Sequence, residues 1–106
     1  MAIDEAKIQA LKEKYGPRLS KLEFEDAVIV LRKPTRGEYQ CFRSDVSDEK
    51  KRAAAAGRLV KCLVVHPPEW SEVEAIFDEY PALEDQAANA ALQMAGATKE
   101  ASVGKL

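Results

Sequence analysis

Apolar positions follow a helical period over most of the chain and a strand period in one segment near its beginning. Residues 3–15 repeat apolar side chains every three or four positions, as an amphipathic helix does, and the pair Gly16-Pro17 ends that helix. From residue 19 to 33 the apolar side chains first alternate with charged ones and then form the run Ala27–Leu31. That run is typical of a buried strand. We therefore expect a helix followed by a two-stranded hairpin with its polar break at Glu25-Asp26.

Four helices are expected after the hairpin, each with a start or stop signal. The Thr35 side chain can accept a hydrogen bond from the third residue of a helix while Glu38 reaches back to the Thr35 amide, which forms a capping box. Ser71 and Glu74 have the same spacing, and Ser47 is predicted as a simpler cap. The predicted helices cover about residues 36–44, 48–65, 72–80 and 82–95.

The predicted fold class is α+β, mainly α, with a small two-stranded β-hairpin packed against about four to five short helices. We expect residues 1–96 to form a single globular domain, in which residues 1–16 dock only loosely. Residues 97–106 are expected to be a flexible tail. A chain of 106 residues suits one domain with a modest core.

Charge and composition narrow the classes of function. The chain has 16 basic and 18 acidic residues, and its net charge of −2 provides no long-range field that would attract nucleic acid or an anionic membrane. The sequence contains no apolar run long enough to span a membrane, and we expect no secretory signal. Because the cysteines have no disulfide-type spacing, we expect the cytoplasm as the location.

Candidate chemistry is sparse. Cys62 and His66 lie four residues apart on a predicted helical face, and Cys41 is a conceivable third metal ligand. Cysteines in the core and a histidine at a helix C-terminus explain the same residues, and we prefer that interpretation. We therefore predict no catalytic residue, no metal, no cofactor and no enzyme. A small enzyme or metal protein around Cys62 and His66 is kept as an alternative.

Nucleic-acid binding is the second alternative. The segment Lys50–Lys61 is rich in basic residues, and on one helix Lys51, Arg58 and Lys61 would share a face that could contact phosphates. Acidic residues just upstream and a pI of about 5.5 favour a solvated helix face instead. A small nucleic-acid-binding regulator therefore remains an alternative. We expect the protein to bind neither nucleic acid nor a membrane.

Three segments together resemble the tail assembly chaperones of long-tailed, siphovirus-like bacteriophages. The first is the turn R-x-P-T-R-x-E-Y from Arg32 to Tyr39, and the second is the helix end from Leu63 to Pro68. The third is the step Tyr-Pro-Ala-Leu at Tyr80 into an alanine-rich helix that ends at Gly96. The resemblance covers most of the chain, from about Leu22 to Gly96.

The resemblance implies a specific function. Such proteins bind the tape measure protein in the host cytoplasm, keep it soluble, recruit tail tube subunits, and leave before the virion is complete. Many exist in a short form and in a longer form made by programmed frameshifting. The Gly104-Lys105 pair is compatible with a slippery codon run, as any such pair would be.

Partner-binding residues are expected on the hairpin edge and on the last helix. Val28 and Val30 lie on a strand that a client or a second copy could extend by pairing, so self-association is possible. Small residues on the last helix would let a client helix approach closely. The residues expected there are Leu83, Ala87, Ala90, Ala91 and Met94.

Overall fold

The computed structural model describes residues 4–104, which contain five α-helices and one three-stranded antiparallel sheet. This arrangement confirms the α+β, mainly α fold class. Ile3 of the first predicted helix and residues 105–106 of the predicted tail lie outside the described part. The elements in chain order are α1 (Glu5–Tyr15), β1 (Leu19–Phe24), β2 (Ala27–Arg32), α2 (Arg36–Ser47), a 3₁₀ turn (Arg52–Ala54), α3 (Ala55–Leu63), β3 (Val64–His66), α4 (Trp70–Glu79) and α5 (Pro81–Met94).

The sheet has the order β1-β2-β3, so the most apolar strand lies in its centre. Every residue from Ala27 to Leu31 is at most 8% exposed, because β2 is apolar on both faces and both faces are covered. Ile29 and Leu31 point into the main core, while Val28 and Val30 belong to the other face. The expectation of a two-stranded hairpin was therefore incomplete.

The predicted helix over residues 48–65 is wrong at both ends. Val64 and His66 pair with β2, because the unpaired backbone groups along that buried strand need partners and a strand supplies them. At the other end the Asp48 side chain accepts a hydrogen bond from the Lys50 amide at 2.8 Å. Such a local bond competes with helix formation. The helix before it continues to Ser47, so Ser47 is not a cap.

The capping box predicted at Ser71 and Glu74 is also wrong. Helix α4 begins one residue earlier, at Trp70, and its cap residue Glu69 makes no side-chain hydrogen bond to the helix. Ser71 therefore lies inside the first turn, where a side chain no longer occupies the capping position.

Helices α3, α4 and α5 pack on one face of the sheet and enclose the core. Alanines on α5 allow α3 to approach closely. The buried core cluster consists of Ile29, Leu31, Leu59, Val60, Leu63, Val73, Phe77, Leu83, Ala87, Ala88 and Ala91.

This packing contradicts most of the predicted partner-binding residues. Leu83, Ala87 and Ala91 are 2%, 0% and 0% exposed, and the helix that the small alanines admit is α3 of the same chain. Val28 and Val30 are 7% and 2% exposed, and β3 pairs beside Val30, so this strand presents no free edge there. The other two predicted residues, Ala90 and Met94, are partly buried against the core.

Helix α1 lies at the surface of the fold. The Asp4 side chain caps it by accepting a hydrogen bond from the Lys7 amide at 2.8 Å, and Gly16 ends it at a φ of 95°. None of its residues is buried, although Ile8 and Leu11 are half-buried. Lys7 lines cavities together with His66, which places α1 beside β3.

Substitution of Ala87 by leucine tests the close approach of α3 and α5. Because Ala87 is fully buried, the larger side chain overpacks the core, and we expect the free energy of unfolding to fall by about 1–3 kcal/mol. Urea denaturation followed by circular dichroism measures this change. The control is Ala75→Leu on the exposed side of α4, for which we expect a change within about 0.5 kcal/mol. Equal effects of the two substitutions would contradict the packing argument.

Candidate functional site

A groove of about 480 Å³ opens between α2 and α3. Its floor is apolar, since Ala55 and Leu59 are buried and Phe42 is half-buried. Cys41 on α2 and Cys62 on α3 are exposed and stand on opposite walls. We call this feature the α2–α3 groove, and its lining residues are Thr35, Gly37, Glu38, Cys41, Phe42, Asp45, Ala55, Arg58, Leu59 and Cys62.

The first wall of the groove begins at a complete capping box. The Glu38 amide donates to the Thr35 hydroxyl at 3.2 Å, and the Thr35 amide donates to Glu38 Oε1 at 2.9 Å. Gly37 in the same turn faces open space, since no neighbouring atom lies within 4 Å of the position that a Cβ would take there. Local sequence therefore sets where α2 starts and which of its residues face the groove.

One arginine ties this wall to the rest of the fold. Arg32 at the end of β2 donates from Nη1 to Glu38 Oε1 at 2.8 Å and from Nη2 to Glu38 Oε2 at 2.7 Å. Its Nη2 also donates to the Cys62 carbonyl at 3.0 Å, in the last turn of α3. We call these three residues the Arg32 clamp. It joins β2, α2 and α3 at one end of the groove, with the bidentate geometry that suits arginine.

The electrostatics of the clamp favour its charged form. The hydrogen bonds from Arg32 are the main reason that the pKa of Glu38 falls to about 2, and they outweigh the opposing effect of burial. The same pair raises the pKa of Arg32 above its ordinary value. Both side chains are about one quarter exposed, at 24% and 23%, so the pair is only moderately screened by water.

A second charge pair links the two walls farther along. Asp45 Oδ2 on α2 lies 3.5 Å from Arg58 Nη1 on α3. Beyond it, Arg52 donates from Nε to the Val46 carbonyl at 2.8 Å and closes the loop between the helices. The groove is therefore apolar along its floor and bordered by compensated charges.

The basic segment Lys50–Lys61 does not form the single helix that the nucleic-acid alternative requires. Lys50 and Lys51 lie in the turn before the 3₁₀ segment, and only the later residues belong to α3. Arg58 pairs with Asp45, and Lys61 Nζ lies 5.4 Å from the centre of the Trp70 ring. Lys51 therefore does not share a helical face with Arg58 and Lys61, as that alternative assumed, because it lies in a turn before α3.

The proposed helical face of Cys62 and His66 is also wrong, because β3 begins between them. His66 is half-buried, and burial is the main reason that its pKa lies below the ordinary value, with Lys7 contributing in the same direction. Within residues 4–104, no group of three or more His, Cys, Asp or Glu side chains is arranged to hold a metal ion. No helix in that range has the length and apolar character needed to cross a membrane.

Sequence reasoning missed the α2–α3 groove. Both cysteines were expected in the core, whereas both are exposed on the walls of the groove. A usable signal was present, because Glu38, Cys41 and Asp45 recur at helical spacing on α2, as Ala55, Leu59 and Cys62 do on α3. It was not recognised because the predicted α3 began too early and the partner of each face was unknown.

Comparisons with known proteins agree with the fold. A family model described as Domain of unknown function (DUF6848) matches residues 11–104. The solved structure of the uncharacterised protein rbstp2171 from Bacillus stearothermophilus is similar, with a TM-score of 0.71 and 23% identity. The similarity covers 92% of this chain and 99% of that chain, and at this identity it shows the fold alone. No curated protein matches the chain.

Replacement of Glu38 by glutamine tests the clamp. Glutamine keeps the capping box but removes the charge that Arg32 binds, and we expect the free energy of unfolding to fall by about 1–3 kcal/mol at pH 7. Because the folded pKa of about 2 lies below the ordinary 4.5, the stabilisation is complete above 4.5 and disappears as the pH falls through about 2.

Urea denaturation of wild type and E38Q from neutral pH down to about pH 2 measures both effects, since that range spans the folded and ordinary pKa values. The matched control is Glu74→Gln on the exposed surface of α4. A difference between wild type and E38Q that stays constant across this pH range would contradict the role of the clamp.

Proposed function

The chain belongs to the DUF6848 family, and we propose that it is a tail assembly chaperone that binds a helical segment of a phage tape measure protein in the α2–α3 groove. In this proposal it acts in the host cytoplasm, keeps its client soluble and helps to recruit tail tube subunits. It carries out no chemical step and is absent from the finished virion.

The observation that carries the proposal is the preformed apolar groove between two helices. A client helix can insert apolar side chains spaced three and four residues apart into such a groove. The half-buried Phe42 and the exposed Cys41 and Cys62 supply apolar contact area above the buried floor. The open space at Gly37 lets a helix backbone approach. A volume of about 480 Å³ accommodates a few client side chains.

The resemblance supplies the identity of the client. The turn from Arg32 to Tyr39, one of the three segments that resemble the chaperones, contains the Arg32–Glu38 ion pair and the capping box at one end of the groove. One of the segments that carry the resemblance thus sets the position of α2. A tape measure protein is a long helical client whose apolar stripes need cover before assembly, and this groove offers an apolar site for part of such a stripe.

A charge placed in the groove tests the proposal. Cys41 is exposed, so Cys41→Glu leaves the core intact but puts a carboxylate against the apolar floor, where a bound client would desolvate it. We expect the affinity for the tape measure client to fall roughly tenfold or more. Isothermal titration calorimetry with client fragments measures the loss.

The matched control is Ser44→Glu, which places the same charge on the exposed side of α2 away from the groove. We expect it to bind as the wild type does. An equal loss of affinity in both variants would mean that the added charge weakens binding wherever it stands on α2, which contradicts a client site in the groove. Equal affinities of C41E and wild type would also reject the groove as the client site.

Cysteine reactivity gives an independent measurement on the wild-type protein. Cys41 and Cys62 are the two cysteines of the chain, and both are exposed in the groove. We expect saturating client to slow their alkylation by iodoacetamide at least severalfold, as read by mass spectrometry, because the bound helix covers both walls. Unchanged alkylation rates in a complex that forms would place the client elsewhere.

A further inference from the structure

The outer edge of β1 has no strand partner among residues 4–104, because the sheet order ends at this strand. Six residues, Leu19 to Phe24, form the edge. Its backbone groups are therefore available for pairing with another strand.

The register of the hairpin shows which residues direct their hydrogen bonds outward. Phe24 pairs with Ala27 across a two-residue turn, and residues that flank such a turn exchange hydrogen bonds with each other. Hydrogen-bonding direction alternates along a strand, so Leu22, two residues before Phe24, also bonds toward β2. The amides and carbonyls of Lys21 and Glu23 consequently point to the open edge.

The side chains of the same residues are divided between the two faces. Leu22 pairs with the fully buried Ile29 and packs against the core cluster. Lys21 and Glu23 project from the opposite face, where their side chains are 44% and 61% exposed and lie 2.7 Å apart. The edge thus carries one positive and one negative charge on either side of an apolar residue.

We propose that β1 is a homodimer interface, in which the β1 strands of two copies pair antiparallel about a two-fold axis at Leu22. Each Lys21 then lies opposite Glu23 of the partner subunit, and the outward backbone groups of these residues exchange hydrogen bonds. The two sheets join into a continuous six-stranded sheet, since each copy contributes three strands.

Charge selects this register over its neighbours. In an antiparallel pair, residues whose backbone groups point to the shared edge must lie opposite each other. The two strands can therefore shift past each other only by two residues at a time. The adjacent registers would place Lys21 opposite Lys21 or Glu23 opposite Glu23, and like charges directly opposite are unfavourable. A lysine on an edge strand usually discourages pairing. Here the alternating signs discourage the wrong registers and stabilise one.

The apolar face of the edge is also self-complementary. The large Phe24 ring, which is 38% exposed, would lie opposite the small Ser20 of the partner subunit. Phe24 already packs against Tyr80 with ring centres 4.7 Å apart, beside a hollow of about 250 Å³. Pairing would cover this exposed aromatic surface and bring the two Leu22 side chains together on the core side of the sheet.

Charge reversal tests both the interface and its register. We expect wild type to form dimers at low salt in sedimentation equilibrium, with association weakening as salt rises. Lys21→Glu and Glu23→Lys each create two like-charge pairs, and each is expected to weaken dimerisation roughly tenfold or more. The double variant K21E/E23K restores opposite charges and is expected to dimerise as wild type does.

Mixing the two single variants gives the sharpest result. K21E and E23K associate poorly with themselves, but one copy of each provides two attractive pairs, so we expect a heterodimer. The matched controls Lys51→Glu and Glu49→Lys change the same charges at exposed sites outside β1 and are expected to dimerise normally. Far-UV circular dichroism checks that every variant is folded.

The proposal is overturned if wild type stays monomeric at millimolar concentration, or if it dimerises and charge reversal has no effect. It is also overturned if neither the double variant nor the mixture recovers association. None of the β1 residues lines the α2–α3 groove, so these results are independent of whether the groove binds a tape measure protein.

Discussion

The burial of β2 on both faces is the constraint on which the rest of this structure depends. A strand that is apolar at every position from Ala27 to Leu31 needs cover above and below, and its backbone needs hydrogen-bond partners. Helices α3 to α5 cover one face, and the short β3 pairs with the end of the strand. The need for that third strand ends α3 at Leu63, although the sequence around Val64 is compatible with a longer helix.

The same strand positions the candidate site. Arg32 is the last residue of β2, and its guanidinium reaches both the first turn of α2 and the last turn of α3. Because these contacts are directional and bidentate, they set the orientation of one helix relative to the other at that end. The groove is the space that remains between two helices held in this way, so its shape follows from the sheet.

Small and sulfur-containing side chains have the opposite roles from those their chemistry suggested. Alanines on α5 resemble an open docking surface, yet they are buried because α3 occupies the space that they leave. Cys41 and Cys62 resemble core residues, yet they line an exposed groove. In both cases the residue type indicates a close approach or an apolar surface. Whether that surface is buried or exposed depends on which segment of the chain packs against it.

Local signals in the sequence were sufficient for features whose cause lies within a few residues. The hairpin, the Thr35–Glu38 capping box, the end of α1 at Gly16 and the mainly helical fold class depend on backbone preferences and short-range hydrogen bonds. The extra strand and the groove were decided by tertiary structure. Their causes are contacts between distant segments, such as Arg32 with Cys62 or Val64 with Leu31, and the spacing of residues along one helix does not say which segment packs against it.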